Sequence, residues 1–487
     1  MSVKLGVMVK LSVSNTILNF QVYPSSPRTI IDRRMTLDVT LNFQAAVTVT
    51  STQGYLFNST GGVDALRAWP LSKCITNAKL RLGNASYSIP LNQVVNAFER
   101  IDFPAMDQNY RLSTVPTQPD QFSSYTGNDQ QGSSIVGSNR NPLNPYGSGI
   151  NYSGAEPRGA FNSQFVVAAN TTLASNVSVR FQEPLLLSPL IAGTDDSSGF
   201  VGLSQPLIIE LTLNGQLTNA FSHSTALNAF SSFTASIVSA QLLVTQLQGN
   251  LIQDLEVPKK VLYGYNDIQV QSINVGNVTN GSSFTQQSNT IQLSQFPRYI
   301  LIYIPPTLSS RSYTQADYFA TITNLKVTLD NRNNILAECT QAQLYEISVR
   351  NGLRMSFPQW ALFSGSVIIL SPLDLGLKPM DSPGVMNYNS NLQITVTATN
   401  NSGQTTNFDL YTVEINDARL WHSELKRLAS PDIGATLSNS GKLLRVFTTK
   451  HLWRRRCGCR ENLWVRLQRR ELDNPEPSFS LRRRRNA

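Results

Sequence analysis

The chain has 487 residues, 41% of them hydrophobic and only 15% charged, so it is long enough for two or three domains with packed cores. Four cysteines are too few for a disulfide framework, which excludes the class of small disulfide-stabilised secreted proteins. The formal net charge of +9 arises at the C-terminus, because residues 442–487 carry 14 Lys and Arg against 4 acidic residues.

Strand patterns dominate the first half of the chain. Residues 35–43 alternate apolar and polar side chains, which predicts a half-buried strand. The segment ITNAKLRLGN, residues 75–84, predicts a strand that ends in a turn, and residues 90–101 predict a short helix after it. Residues 106–162 are rich in Asn, Gly, Ser, Gln, Tyr and Pro without apolar periodicity. This composition predicts a long surface loop that projects from the first half.

The second half shows the same kinds of pattern. Residues 268–275 alternate, and the continuous apolar run at 299–304 predicts a strand buried on both faces. Residues 340–352 predict a second short helix. Residues 395–399 and 408–415 flank an Asn-Ser-Gly turn and predict a hairpin.

The two halves share short motifs in one order. ITNAKLRLGN matches ITNLKVTLDN at six of ten positions, and LLLSPLIAG matches IILSPLDLG at five of nine. In chain order the matching segments are 27–31 with 258–262 (the weakest), 75–84 with 322–331, 185–193 with 368–376, 207–214 with 392–399, and 236–243 with 412–420. Several weak matches in one order indicate a duplication.

Many short strands, few helices and two similar halves predict an all-β fold of two tandem jelly-roll β-sandwiches with a few short helices and a long surface loop. An immunoglobulin-like sandwich is the alternative, but the inserted loop and the helix after an internal strand favour the jelly roll. We expect the first jelly roll at 15–250 with its loop at 106–162, the second at 251–430, and a basic, flexible tail at 431–487.

The second half reads FPRYILIYIPP, ITNLKVTLDN, AQLYEISVRNGL, GSVIILSPLDLGL, PGVMNYNSNLQITVT and FDLYTVEI in order. This order resembles the C-terminal jelly roll of double-jelly-roll major capsid proteins, the lineage of adenovirus hexon, tailless membrane-containing phages, virophages and polinton-like viruses. The segment PSSPRTIIDRRMTLDVTL, residues 24–41, is similar to the opening strand of their first jelly roll. The resemblance covers roughly residues 15–420.

The resemblance implies a homotrimer in which six similar jelly rolls surround one axis, with weaker trimer–trimer contacts that tile an icosahedral shell. It implies a virion protein that is assembled inside the host cell and contacts minor capsid or vertex proteins. It also implies no enzymatic activity and no cofactor. The loop at 106–162 would form an outward tower.

The basic tail lies outside both repeats. Arginine side chains that neutralise nucleic-acid phosphates are one interpretation of it. Contact with the anionic face of an internal membrane is a second. A solvated tail without a partner, or a frame artefact, is the third. The candidate contact residues are Arg454, Arg455, Arg456, Arg482, Arg483, Arg484 and Arg485.

The sequence offers no convincing catalytic or metal site. Cys457 and Cys459 with His451 have neither the number nor the spacing of structural zinc ligands. His223 and His422 are isolated in the sequence, which is typical of surface or packed residues.

The alternative function is a carbohydrate-binding or glycoside-acting β-sandwich protein, which would need paired carboxylates beside aromatic platforms. The acidic candidates are typical of solvated loops, and the tryptophans are typical of core or rim positions rather than of a stacking platform. These residues are Asp195, Asp196, Asp374, Trp69, Trp360 and Trp421.

Overall fold

The computed structural model describes residues 2–101, 163–248 and 260–423, with interior gaps of which the longest is 378–389. The expected loop at 106–162 and tail at 431–487 lie outside the described residues. Residues Met1–Ala435 form one compact unit. No helix in the described ranges is long and apolar enough to cross a membrane.

In the described residues, the first half is built from strands and one α-helix, α1 (Leu91–Phe98). Its strands are β1 (Ser2–Val7), β2 (Val9–Val13), β3 (Ile17–Val22), β4 (Ile30–Ile31), β5 (Thr36–Val49), β6 (Gln53–Phe57), β7 (Ala65–Leu66), β8 (Ile75–Leu82), β9 (Ala85–Ile89), β10 (Ser163–Val166), β11 (Thr171–Pro184), β12 (Leu207–Leu213), β13 (Phe221–Ser222) and β14 (Phe230–Gln248). Two antiparallel sheets have the orders β1-β14-β5-β11 and β2-β3-β12-β8-β9. Alternate residues of these strands, such as those of β12, are buried in the core.

The second half repeats this plan, and the described part of it contains one α-helix, α2 (Gln341–Arg350). Its strands are β15 (Lys260–Val278), β16 (Ser283–Gln287), β17 (Ile291–Leu293), β18 (Tyr299–Tyr303), β19 (Thr321–Leu329), β20 (Arg332–Ile335), β21 (Val367–Leu370), β22 (Ser390–Thr399) and β23 (Thr406–Ser423). The sheets have the orders β15-β23-β18-β21 and β16-β22-β19-β20, with β17 also paired to β22.

The strand order confirms the duplication. The motif at 75–84 forms β8 and the turn before β9, and α1 follows; the motif at 322–331 forms β19 and the turn before β20, and α2 follows. β8 lies between β12 and β9, as β19 lies between β22 and β20. The fold is therefore the predicted pair of jelly rolls.

Local signals were accurate where the pattern was regular. Of the predicted strand at 35–43, all but Met35 lie within β5, and residues 268–275 lie within β15, as predicted. β18 is buried on both faces from Ile300 onward. The helix α2 begins at a capping box in which the Thr340 hydroxyl accepts a hydrogen bond from the Gln343 amide and the Gln343 side chain accepts one from the Thr340 amide.

The first jelly roll begins before the predicted residue 15, and the predicted match of 27–31 with 258–262 was wrong. β1 and β2 precede residue 15, and β1 occupies the place beside β14 that β15 occupies beside β23. Gln246 of β14 pairs with Lys4 of β1 on one side and with Ile31 of β4 on the other, so 27–31 is not the counterpart of 258–262. The alternation of Val3, Leu5 and Val7 was visible in the sequence, but the two lysines nearby obscured it.

The predicted hairpin between β22 and β23 was also wrong, because these strands belong to different sheets. The connection between them carries the chain from one sheet to the other. The buried Asn400 amide donates to the carbonyl oxygens of Val278 at 2.8 Å and Gln404 at 2.9 Å. These two bonds pair backbone carbonyl oxygens at the point where the chain crosses between the sheets. A local turn pattern cannot distinguish such a crossing from a hairpin.

Candidate functional site

The candidate residues at the C-terminus lie beyond the part of the chain that the structure describes. The seven arginines named for the tail, together with Cys457, Cys459 and His451, lie outside the described residues. Asp195 and Asp196 also lie outside them, as do the side chains of Trp421 and His422. The nucleic-acid contact therefore stays a prediction.

The other candidates have structural roles. Trp69 and Trp360 are fully buried, and the Trp360 indole donates to the carbonyl oxygen of Val367 at 2.8 Å. The His223 ring is buried and stacks on Phe230 with ring centroids 3.8 Å apart. Within the described ranges, no group of three or more His, Cys, Asp or Glu side chains could hold a metal ion.

Asp374 is part of a turn rather than of a carboxylate pair. Its carboxylate accepts hydrogen bonds from the Ser371 amide at 2.8 Å and the Asn351 side chain at 2.7 Å, and from Arg350. These bonds fix the segment after β21 to the end of α2.

The most distinctive polar arrangement lies where the two jelly rolls meet. Asp317, from the connection between β18 and β19, is buried among side chains of the first jelly roll. Its carboxylate accepts hydrogen bonds from Lys73, from Arg67 Nη1 at 3.4 Å and from Asn96 Nδ2 at 3.2 Å, while its carbonyl oxygen accepts one from Arg100. We call these five residues the inter-roll cluster.

Electrostatics explain why Asp317 remains charged. Burial alone would raise the pKa of the Asp317 carboxyl, but the positive charges of Lys73 and Arg67 outweigh it and hold the pKa well below its usual range. Glu99 lies on the other side of Lys73, 3.1 Å from its ammonium. Burial raises the pKa of Glu99 to about 8 despite that charge. At neutral pH Asp317 is therefore the anionic partner of Lys73.

The arginines of the inter-roll cluster also bind backbone and aromatic groups of the partner roll. The Arg100 guanidinium lies 3.8 Å from the centroid of the Phe319 ring, a cation–π contact. Arg67 donates to the carbonyl oxygen of Ser312 in the second roll at 2.6 Å and to that of Phe221 in its own roll at 3.1 Å. One arginine thus connects the two rolls through both a charge and fixed carbonyl groups.

A second contact involves the strand β15. The Ser188 hydroxyl donates to the carbonyl oxygen of Asn266 at 2.7 Å, and the Asn266 amide donates to that of Ile191 at 3.1 Å. Arg33 Nη1 donates to the carbonyl oxygen of Gly264 at 2.8 Å. We call this the β15 contact; it places the first strand of the second roll against the segment that follows β11.

These arrangements hold two folded units together. The ionised side chains of Lys73, Arg67 and Asp317 are buried and paired with one another across the two rolls, an arrangement that attaches one roll to the other. Sequence reasoning missed it. The signal available was that Arg67 and Lys73 lie within the largely apolar segment 65–75, where buried charges are rare unless they are paired, but this signal does not identify the partner.

Two family models of viral major capsid proteins match the two halves of the chain separately, as the two jelly rolls do. The family model of the Sputnik virophage major capsid protein 1st domain matches residues 8–255, and that of the major capsid protein V20 C-terminal domain matches residues 268–368. The putative capsid protein V20 of Sputnik virophage is 26% identical over 453 residues, which cover 86% of this chain and 73% of that protein.

Two solved structures share the fold. The cryo-EM structure of the Sputnik virophage contains a chain with a TM-score of 0.74 and 20% identity, covering 91% of this chain and 92% of that one. The crystal structure of the mavirus major capsid protein has a TM-score of 0.63 and 17% identity, covering 86% of this chain and 88% of that one. Both likenesses extend over the two jelly rolls.

Proposed function

Because the chain belongs to the Sputnik virophage major capsid protein family, we propose that three copies associate into a pseudo-hexagonal unit and that such units tile the icosahedral shell. The protein is a major capsid protein, a structural component of the virion, and not an enzyme. The family assignment replaces the alternative of a carbohydrate-binding or glycoside-acting protein. As a capsid protein it associates with copies of itself.

The observation that carries the trimer proposal is the duplication within one compact unit. The two jelly rolls have the same strand order and are joined by the inter-roll cluster and the β15 contact. Two similar jelly rolls per chain give six similar jelly rolls around the axis when three chains associate. Closed rotational symmetry of this kind is the usual form of a stable homo-oligomer.

Size-exclusion chromatography with light scattering tests this proposal on the full chain. The expected mass is three times the 53.8 kDa of one chain, and negative-stain images should show particles with a hexagonal outline. A protein that stays monomeric at every accessible concentration, without such particles, contradicts the trimer.

The finer organisation is part of the same proposal. The described strands of the two rolls lie on either side of residues 249–259, which supports a division near residue 250 and an end of the second roll near 430. We propose that residues 106–162 form a tower on the outer surface and that the tail at 431–487 contacts the viral genome. Minor capsid or vertex proteins are the further partners proposed.

A further inference from the structure

Two leucines at matching positions of the repeat have opposite exposure. Leu190 in LLLSPLIAG corresponds to Leu373 in IILSPLDLG. Leu190 is 5% exposed, whereas Leu373 is 62% exposed. Because the sequence retains an apolar side chain at both positions, the difference lies in what covers them.

The cover over Leu190 comes from the other jelly roll. On one side of Leu190 the Ser188 hydroxyl donates to the carbonyl oxygen of Asn266 in β15. On the other side the carbonyl oxygen of Ile191 accepts a hydrogen bond from the Asn266 backbone amide. The Arg33 side chain donates hydrogen bonds to the carbonyl oxygen of Pro189, the residue before Leu190, and to that of Gly264 in β15. The segment after β11 is therefore closed by the first strand of the second roll.

The two helices show the same difference. All of α1 except Gln93 is buried, and part of its cover is the second roll: Tyr303 donates to the Gln93 carbonyl oxygen at 2.9 Å, and Arg311 to that of Asn92 at 2.7 Å. In α2, only Leu344 and Ser348 are buried. One helix is thus covered on two sides, and its counterpart on one.

The uncovered surface of the second roll carries exposed apolar side chains. It holds four of the seven large hydrophobic side chains that are exposed in the described part of the chain: Val349, Phe357, Leu362 and Leu373. We call these four residues the open face. Phe357 packs against Tyr345 of α2, with ring centroids 5.2 Å apart. Asp374 ties the Leu373 segment to the end of α2 through Arg350 and Asn351. An exposed apolar cluster of this kind indicates an interaction surface.

We propose that the open face binds the first jelly roll of a second copy of this chain, with β1 of that copy in the place that β15 takes inside one chain. β1 and β15 have the same position in their sheets, beside β14 and β23. The surface that the second roll covers on the first is the counterpart of the open face. The same contact, repeated between chains, covers each open face once and closes a ring after three copies.

This inference rests on the proposed trimer and names the surface that forms it. The test uses the full-length double variant Val349→Asp/Leu373→Asp, because a carboxylate cannot be buried in an apolar contact without a partner. We expect the monomer–trimer midpoint concentration to rise by about 100-fold or more. Both sites are exposed in the single chain (43% and 62%), so its circular dichroism should not change. The matched control is Val238→Asp, at a side chain 58% exposed in β14, which should assemble as the natural protein does.

A second readout does not depend on disrupting the assembly. The thiol introduced by Leu373→Cys should be protected from maleimide in the assembled protein and labelled in the dissociated one, when labelling is read peptide by peptide. The thiol of Val238→Cys should be labelled in both. If the double variant assembles normally and the Leu373→Cys protein is labelled at that position equally in both states, the open face is not the interface, although the trimer stands. A natural protein that never assembles overturns the trimer itself.

Discussion

The ammonium of Lys73 and the carboxylate of Asp317 form a buried ion pair between the two jelly rolls, 244 residues apart in sequence. Their side chains are 5% and 4% exposed. Removing one partner of such a pair leaves an uncompensated buried charge, which costs far more than the loss of a surface ion pair. The attachment of the rolls therefore depends on Asp317 more than on any exposed charge.

Asp317→Asn should lower the free energy of unfolding by about 3–5 kcal/mol, because Lys73 and Arg67 would lose their anionic partner. Urea denaturation at neutral pH and a fixed protein concentration measures this. The control is Arg34→Gln, which removes an exposed ion pair with Asp32 and should cost less than about 1 kcal/mol. Equal small losses in both variants would show that the inter-roll cluster does not hold the rolls together.

Stability should fall as the pH rises from about 5 to about 8. Burial raises the pKa of Glu99 to about 8 and that of Glu183 to about 7, above the ordinary 4.5. In this window the folded protein keeps protons that the unfolded chain releases, so higher pH favours unfolding. Asp317 acts in the opposite direction, because its lowered pKa gives stability that is lost only in acid.

Glu99→Gln should flatten this dependence, because an amide has no proton to release in the unfolded chain. The measurement is urea denaturation of both proteins at pH 5, 6.5 and 8. The matched control is Glu338→Gln, at an exposed position, which should keep the slope of the natural protein. An unchanged slope in Glu99→Gln would show that Glu99 is ionised in the folded state throughout this range.

The fold could be predicted because its information is local and repeated. The alternation in β5 and β15 and the capping residues of α2 each specify one element, and the repeated motif at 75–84 and 322–331 specifies the architecture. The hairpin prediction failed because the choice between one sheet and two depends on contacts that are distant in sequence, such as the hydrogen bond from the Asn400 side chain to the carbonyl oxygen of Val278.

The inter-roll cluster could not be predicted for a similar reason. Arg67, Lys73 and Asp317 are ordinary charged residues in the sequence, and only the closed fold places them in contact. The open face was equally hidden. Leu190 and Leu373 are the same residue type at matching positions, and their different exposure arises from the way the second roll covers the first.

Gly365→Ala should destabilise the protein by more than about 3 kcal/mol, beyond the usual effect of a single substitution. The backbone at Gly365 has a φ of +86°, and an added Cβ would collide with the carbonyl group of Phe319. Phe319 lies under the Arg100 guanidinium, so its displacement disturbs the inter-roll cluster.

Gly403→Ala is the matched control for this substitution. Its φ is +84°, but an added Cβ there meets no atom within 4 Å. The control should show only the backbone strain of about 1–2 kcal/mol. Thermal unfolding of the two variants gives the comparison, and similar losses would show that the Phe319 backbone yields to the new methyl group.

Replacing the seven arginines at 454–456 and 482–485 by glutamine should weaken binding to duplex nucleic acid and reduce its salt dependence. Each phosphate contact contributes about 0.9 to the slope of log affinity against log salt concentration. The measurement is a titration of the full chain across a salt series. Arg34→Gln/Arg180→Gln, at exposed arginines of the first roll, is the charge control and should bind as the natural protein does. Equal affinity and slope in all three proteins would contradict the genome contact, and a loss of binding only to anionic vesicles would assign the tail to a membrane instead.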